Sequence, residues 1–143
     1  MSDTQTRVTA LREKLSDSGH RITPQRLCIL EALVSSEHPS AEAIYARVLQ
    51  CSPTTSLATV YKTLETLRDM GEVLEMEVGD GRRHFDGVRP RSHPHVVCTR
   101  CGGIADVEIG DLSGLQDRAA LASGYQLQSQ RVEFYGLCAS CQP

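Results

Sequence analysis

Tryptophan is absent from this chain and aromatic residues make up only 4% of it, which argues against the base-stacking platforms of single-strand nucleic-acid binders. Long apolar runs are missing as well. No stretch reaches the 18 or more residues of a membrane span, and Met1 to Arg12 lack the apolar segment of a secretory signal, so no membrane association and a cytoplasmic location are expected. A general surplus of cations is also lacking: the net charge is -3, and residues 1–80 carry 8 Lys and Arg against 12 Asp and Glu. Any DNA binding must come from local patches, such as the grouped cations Arg12, Lys14, Arg21 and Arg26. What remains is 143 residues, 40% hydrophobic and 23% charged, without low-complexity tracts. That composition predicts a folded chain of one ordinary domain or two small ones.

Hydrophobic spacing divides the chain. Val8, Leu11 and Leu15 recur at intervals of three and four between Asp3 and Ser18, with Gly19 as a stop, which predicts an amphipathic helix. A second helix begins where Thr23 can cap free amides and Pro24 takes the first helical position. Leu27, Leu30, Leu33 and Val34 form its core face, and His38-Pro39 breaks it. Ser40 caps a third helix carrying Ile44, Val48 and Leu49, which must end before Ser52-Pro53 because a residue preceding proline avoids helical angles. The fourth starts at Ser56, shows Leu57, Val60, Leu64 and Leu67 on one side and Tyr61 and Lys62 on the other, and closes at Gly71. Alternation over Val73–Val78, a Gly79-Asp80-Gly81 turn and Arg82–Asp86 predict a hairpin.

Helices followed by a hairpin make residues 1–86 a winged helix-turn-helix, in which one helix enters the major groove of duplex DNA. Gly87 to Pro94 reads as a hinge, residues 87–94. A strand over Ile104–Ile109, a helix over Leu112–Ala122 and an extended Gln126–Tyr135 make residues 95–143 a small α/β module. The expected fold class is therefore α+β.

Four of the six cysteines form two Cys-x-x-Cys pairs, Cys98 with Cys101 and Cys138 with Cys141. Two such knuckles complete a thiolate tetrahedron suited to Zn²⁺, and a closed four-sulfur site is structural because no position stays open for substrate. Cys28 and Cys51 lack partners at ligand spacing and are expected to be ordinary core or partly buried thiols. His93 and His95 alternate on an extended segment and so share a face, with Asp86, Asp106 and His38 as further donors. From spacing alone two readings stand: a second metal site, whose nitrogen and oxygen donors suit Fe²⁺ or Mn²⁺, or polar residues on a solvated hinge. His20 and His84 have no such company and are expected in solvent.

Several motifs lie on a single known pattern: Arg21-Ile22-Thr23-Pro24-Gln25-Arg26, Ala58-Thr59-Val60-Tyr61, Phe85-Asp86, His93-Pro94-His95, Cys98 through Asp106, and Tyr135-Gly136-Leu137-Cys138 with Cys141. Through them the chain resembles the ferric uptake regulator family over nearly its whole length, and within it the peroxide-responsive repressors. The resemblance implies a homodimeric repressor of double-stranded operator DNA, not an enzyme, with a zinc-stapled dimerisation domain. It further implies a regulatory Fe²⁺ or Mn²⁺ held by His38, Asp86, His93, His95 and Asp106, with His38 and His93 as the oxidation-sensitive ligands and Arg21, Tyr61 and Lys62 facing DNA. Iron-uptake members of the family usually place Glu at the position of Asp106. A further sensor site found in many iron and zinc sensors falls here on Ser92, Pro94, Ser113 and Gln130, poor replacements for the expected His and acidic groups.

The alternative within the family is an iron- or zinc-uptake repressor, separated by metal titration. A zinc-dependent hydrolase would need His38, His93, His95 and a carboxylate around an open metal, but no nucleophile motif or phosphate-cradling glycine loop supports it. A zinc-stapled interaction module without DNA binding would differ in a salt-dependent DNA-binding assay.

Overall fold

A serine or threonine hydroxyl starts each of the four helices on which the first half of the chain is built, Ser2 capping the first by accepting from the Gln5 amide at 3.2 Å. In the computed structural model, which describes residues 2–77, 79–89 and 93–143, Thr23 accepts from the Arg26 amide, Ser40 from Ala43 and Ser56 from Thr59, each at 3.1 Å. Each cap satisfies an amide that the first helical turn cannot, a contribution of about 1 kcal/mol. The resulting helices are α1 (Asp3–Asp17), α2 (Pro24–Val34), α3 (Ala41–Cys51) and α4 (Leu57–Asp69). An antiparallel hairpin follows, β1 (Leu74–Glu77) and β2 (Arg83–Asp86), in the register Leu74 to Asp86 and Glu77 to Arg83. The expected order of elements is thus found, although Val78 and the expected hinge residues Pro90, Arg91 and Ser92 lie outside the described residues.

The chain divides into two compact units, Met1–Arg91 and Ser92–Pro143. In the first, Leu11, Leu15, Ile29, Leu30, Leu33, Ile44, Val48, Val60, Leu64, Leu67 and Phe85 are fully buried and join all four helices to the hairpin. Burial of each such side chain is worth roughly 2 kcal/mol, so this face pairing, rather than helix propensity, holds the helices in place. Strand β2 is tied to the α2–α3 turn by the Phe85 amide, which donates to the Pro39 carbonyl at 2.9 Å, and by a bridge between Ser40 and His84. Just beyond β2, Gly87 comes so close to α2 that a Cβ there would meet Leu33 Cγ at 2.7 Å. Arg7 of α1 fastens this crossing by donating to the Gly87 carbonyl at 2.6 Å and to the Glu72 carbonyl at 2.8 Å.

The second unit is a three-stranded sheet in the order β4-β3-β5 with one helix: β3 (His95–Cys98), β4 (Ile104–Asp106), α5 (Ser113–Ser123) and β5 (Glu133–Gly136). Strand β3 runs antiparallel to β4 and parallel to β5. Two expectations are corrected here. The strand expected over Ile104–Ile109 stops at Asp106, its pairing ending with the Val107 amide on the Pro94 carbonyl before Gly110 turns the chain at φ 87°. The extended run expected over Gln126–Tyr135 is strand only from Glu133, because the Leu127 carbonyl accepts from Gln116 of α5 instead of from a neighbouring strand. Helix α5 buries none of its residues, and Leu121 and Tyr125 are 87% and 73% exposed. Among the described residues no helix is long and apolar enough to cross a membrane.

Candidate metal centres

The four cysteines of the paired knuckles come together in the second unit, their sulfur atoms all within 4.8 Å of one another. Cys101 Sγ and Cys138 Sγ are 3.8 Å apart, the edge length of a tetrahedron with metal–sulfur bonds of about 2.3 Å. Backbone amides are aimed at the sulfurs: Cys101 and Cys138 donate to Cys98 Sγ at 3.5 and 3.4 Å, and Gly103 donates to Cys101 Sγ at 3.4 Å. The Cys101 and Cys138 amides, with that of Arg100, hold the Cys98 thiol down to about 6. Such amides stabilise thiolate charge. Cys141 is pushed the other way, to about 12, by its hydrogen bond to Cys138 and by burial. One thiolate already favoured among thiols that share hydrogens is the donor set that a thiophilic cation completes.

A second donor set belongs to the same unit. Because His95 pairs directly with Asp106 across β3 and β4, while His93 lies two residues earlier on the same face, three side chains converge. His93 Nε2 is 2.9 Å from Asp106 Oδ1 and 3.1 Å from His95 Nε2, and His95 Nε2 is 3.5 Å from Asp106 Oδ1. Donors bound to one cation at about 2.1 Å lie roughly 3.0 Å apart in an octahedron, so this trio fits a metal with nitrogen and oxygen preference. Glu133, opposite His95 on β5, is a nearby carboxylate that sequence spacing does not reveal. Burial raises its carboxyl, but hydrogen bonds from Arg131 and Tyr135 outweigh that and hold it below the usual range.

His38 and Asp86 meet in the first unit. His38 is buried at the α2–α3 turn in the left-handed region, φ 51°, an uncommon conformation for a residue with a side chain. Its Nε2 is 3.5 Å from Asp86 Oδ2. The other carboxylate oxygen, Oδ1, accepts the Val88 and Arg89 amides at 2.9 and 2.8 Å, which fixes the side chain. His84 corrects an expectation: it is buried, not solvated. It alternates with Asp86 on β2, and its Nδ1 donates to the His38 carbonyl at 2.8 Å while Nε2 meets Asp80 Oδ2 at 2.7 Å. Burial would raise Asp80, but the His84 ring and the Arg82 amide hold it below the usual carboxylate range.

Cys28 and Cys51 also depart from expectation. They form a disulfide between α2 and the end of α3, with Cα atoms 6.1 Å apart. Helix packing brings together two residues 23 apart in sequence, which no local motif announces. Of the residues expected to face DNA, Arg21 and Lys62 are exposed, whereas Tyr61 is half-buried. The Tyr61 hydroxyl donates to Glu42 at 3.3 Å, its ring lies 5.0 Å below the Arg83 guanidinium, and burial followed by the Glu42 charge raises its pKa above the usual value. Pro94, Ser113 and Gln130 line one cavity of about 410 Å³ together with His93 and Asp111, while Ser92 lies outside the described residues.

The model of the ferric uptake regulator family matches residues 17–135, which contain the His93, His95 and Asp106 trio, the His38–Asp86 pair and the first cysteine knuckle. The chain belongs to the ferric uptake regulator family. Within it, the peroxide operon regulator of Bacillus subtilis is 41% identical over 130 residues, 90% of this chain and 89% of that protein. The peroxide-responsive repressor PerR of Staphylococcus saprophyticus is 38% identical over 136 residues, 94% of this chain and 88% of the relative. Among solved structures, the Campylobacter jejuni peroxide stress regulator superposes with a TM-score of 0.68 at 34% identity, covering 99% of this chain and 100% of its own. This ferric uptake regulator family chain therefore shares both fold and substantial sequence with regulators named for peroxide.

Proposed function

We propose that this chain is a metal-dependent, DNA-binding transcriptional repressor that senses peroxide through its own histidines. The observation that carries the reading is the donor chemistry: a His93, His95 and Asp106 trio and a His38–Asp86 pair, all nitrogen and oxygen, in a chain 41% identical to a peroxide operon regulator. The two groups together would hold one Fe²⁺ or Mn²⁺. Residues 1–86 are the DNA-reading unit, 87–94 the hinge and 95–143 the dimerisation unit. The cysteine quartet takes a structural Zn²⁺, and the exposed apolar residues of α5, Leu121 among them, support a homodimer.

His38 and Asp86 belong to the DNA-reading unit and the trio to the other, so occupancy would favour one arrangement of the two. A ligand shifts such an equilibrium only by its higher affinity for one state, and five donors shared across the hinge supply that difference. Arg21, Tyr61 and Lys62 would then meet operator DNA, with Tyr61 exchanging Glu42 for a base or phosphate. When Fe²⁺ is bound it supplies one-electron reduction of peroxide beside the ligand imidazoles. His38 and His93 are the side chains that would take one peroxide oxygen into a ring C–H bond while the other oxygen leaves as water, and a ring so oxidised would no longer donate its nitrogen, so DNA would be released.

Metal titration tests the reading. Both Fe²⁺ and Mn²⁺ are expected to restore DNA binding to the metal-stripped protein, and peroxide to abolish it only with Fe²⁺. Binding that follows metal level but ignores peroxide would assign the chain to iron or zinc uptake instead.

A further inference from the structure

We propose that Cys28 and Cys51 are a reversible thiol–disulfide couple whose reactants are low-molecular-weight thiols and their disulfides. The pair lies in the first unit and the zinc-type cysteine quartet in the second, so it goes beyond the metal-based reading and is independent of it. Cys28 sits on α2 with 7% exposure inside the apolar core, whereas Cys51 is the last residue of α3 and is exposed. Their Cα atoms, 6.1 Å apart, stand at a separation that a disulfide spans without backbone movement. Leu33 of α2 and Ile44 and Val48 of α3 are fully buried in the same core, so packing keeps that separation whether or not the sulfurs are joined. One backbone therefore accommodates both redox states.

Access is one-sided, which sets the chemistry. An incoming thiolate attacks the Cys51 sulfur, forming a mixed disulfide there as the Cys51–Cys28 bond breaks and Cys28 leaves with the electron pair and takes up a proton. A second thiolate attacks the outer sulfur of the mixed disulfide and releases Cys51 as the second thiol. In sum one protein disulfide and two small thiols give two cysteine thiols and one small disulfide. Oxidation by the small disulfide is the reverse. The bond anchors the end of α3, immediately before the Ser52–Thr55 turn that leads into α4 and its exposed Lys62, onto α2. Thiol redox state thus sets how firmly the helix-turn-helix is braced.

The test uses the full metal-loaded chain in buffers of graded reduced and oxidised glutathione, followed by acid quench, alkylation and peptide mass spectrometry. Cys28 and Cys51 are expected to change together as a two-electron couple, following the square of the thiol concentration over the disulfide. The oxidised protein should unfold about 10 °C higher than the reduced one, as closing a loop between cysteines 23 apart in sequence implies. A Cys28→Ala/Cys51→Ser variant should melt with the reduced protein in every buffer, while still binding Mn²⁺ and responding to peroxide. Cysteines that alkylate fully in all buffers, or in none, or an oxidised form no more stable than the variant, would overturn the proposal.

Discussion

His84 Nδ1 donates to the backbone carbonyl of His38 at 2.8 Å, and the same ring reaches Asp80 with its other nitrogen at 2.7 Å. A carbonyl oxygen only accepts, so Nδ1 supplies the hydrogen of the bond to His38. The contact braces the turn that holds His38 at φ 51° with its imidazole toward Asp86. Replacing His84 with Ala should leave His38 less well oriented and weaken Mn²⁺ binding by about tenfold, the usual scale for residues that orient metal ligands. Calorimetric titration of the variant checks this, and unchanged affinity would remove His84 from the site's support.

Gly87 tests how tightly the chain beyond β2 is seated. A methyl group on its Cα would stand 2.7 Å from Cγ of the fully buried Leu33, so Gly87→Ala must displace either the core leucine or the backbone next to Asp86. A loss of about 1–3 kcal/mol is expected from denaturant midpoints.

Acid stability should report Glu75. Burial raises its carboxyl, but hydrogen bonds from Arg83 and Arg68 outweigh that and keep it below its ordinary 4.5. A carboxyl lowered in the folded state contributes stability above its unfolded value, and that contribution fades as pH falls through the folded value. Glu75→Gln should therefore cost on the order of 1 kcal/mol at neutral pH, with the difference between the two proteins shrinking as pH falls below the ordinary 4.5. Urea unfolding across pH reads the difference.

Helix boundaries are legible in the sequence because capping is local: Thr23, Ser40 and Ser56 each bond an amide three residues on. Cysteine spacing likewise announces the quartet, since a knuckle needs only four consecutive residues to place two sulfurs. Strand β3 is legible only in part: His93 and His95 announce an extended segment, but its parallel partner begins at Glu133, far along the chain. His84 is misread from sequence for the same kind of reason, its partner His38 being 46 residues away. The Cys28–Cys51 bond depends on how α2 meets α3, which side-chain pattern predicts only as a contact between faces, not between particular sulfurs.

Zinc should prove structural. Cys138→Ser removes a sulfur that is 3.8 Å from Cys101 Sγ and should lower zinc content from one ion per chain and disrupt the dimer. A four-thiolate zinc supplies on the order of 10 kcal/mol or more to a small unit with little buried core. Elemental analysis with sedimentation of the variant measures both effects.

The proposed peroxide sensing stands or falls with oxidation of His38 and His93, the histidines proposed to ligate the metal. Protein loaded with Fe²⁺ or with Mn²⁺ is exposed to a peroxide pulse, digested, and its His38 and His93 peptides weighed while DNA binding is followed in parallel. One added oxygen on those peptides, and release of DNA, are expected with Fe²⁺ alone. Iron-loaded protein that keeps both histidines intact and stays on DNA would contradict the proposed mechanism.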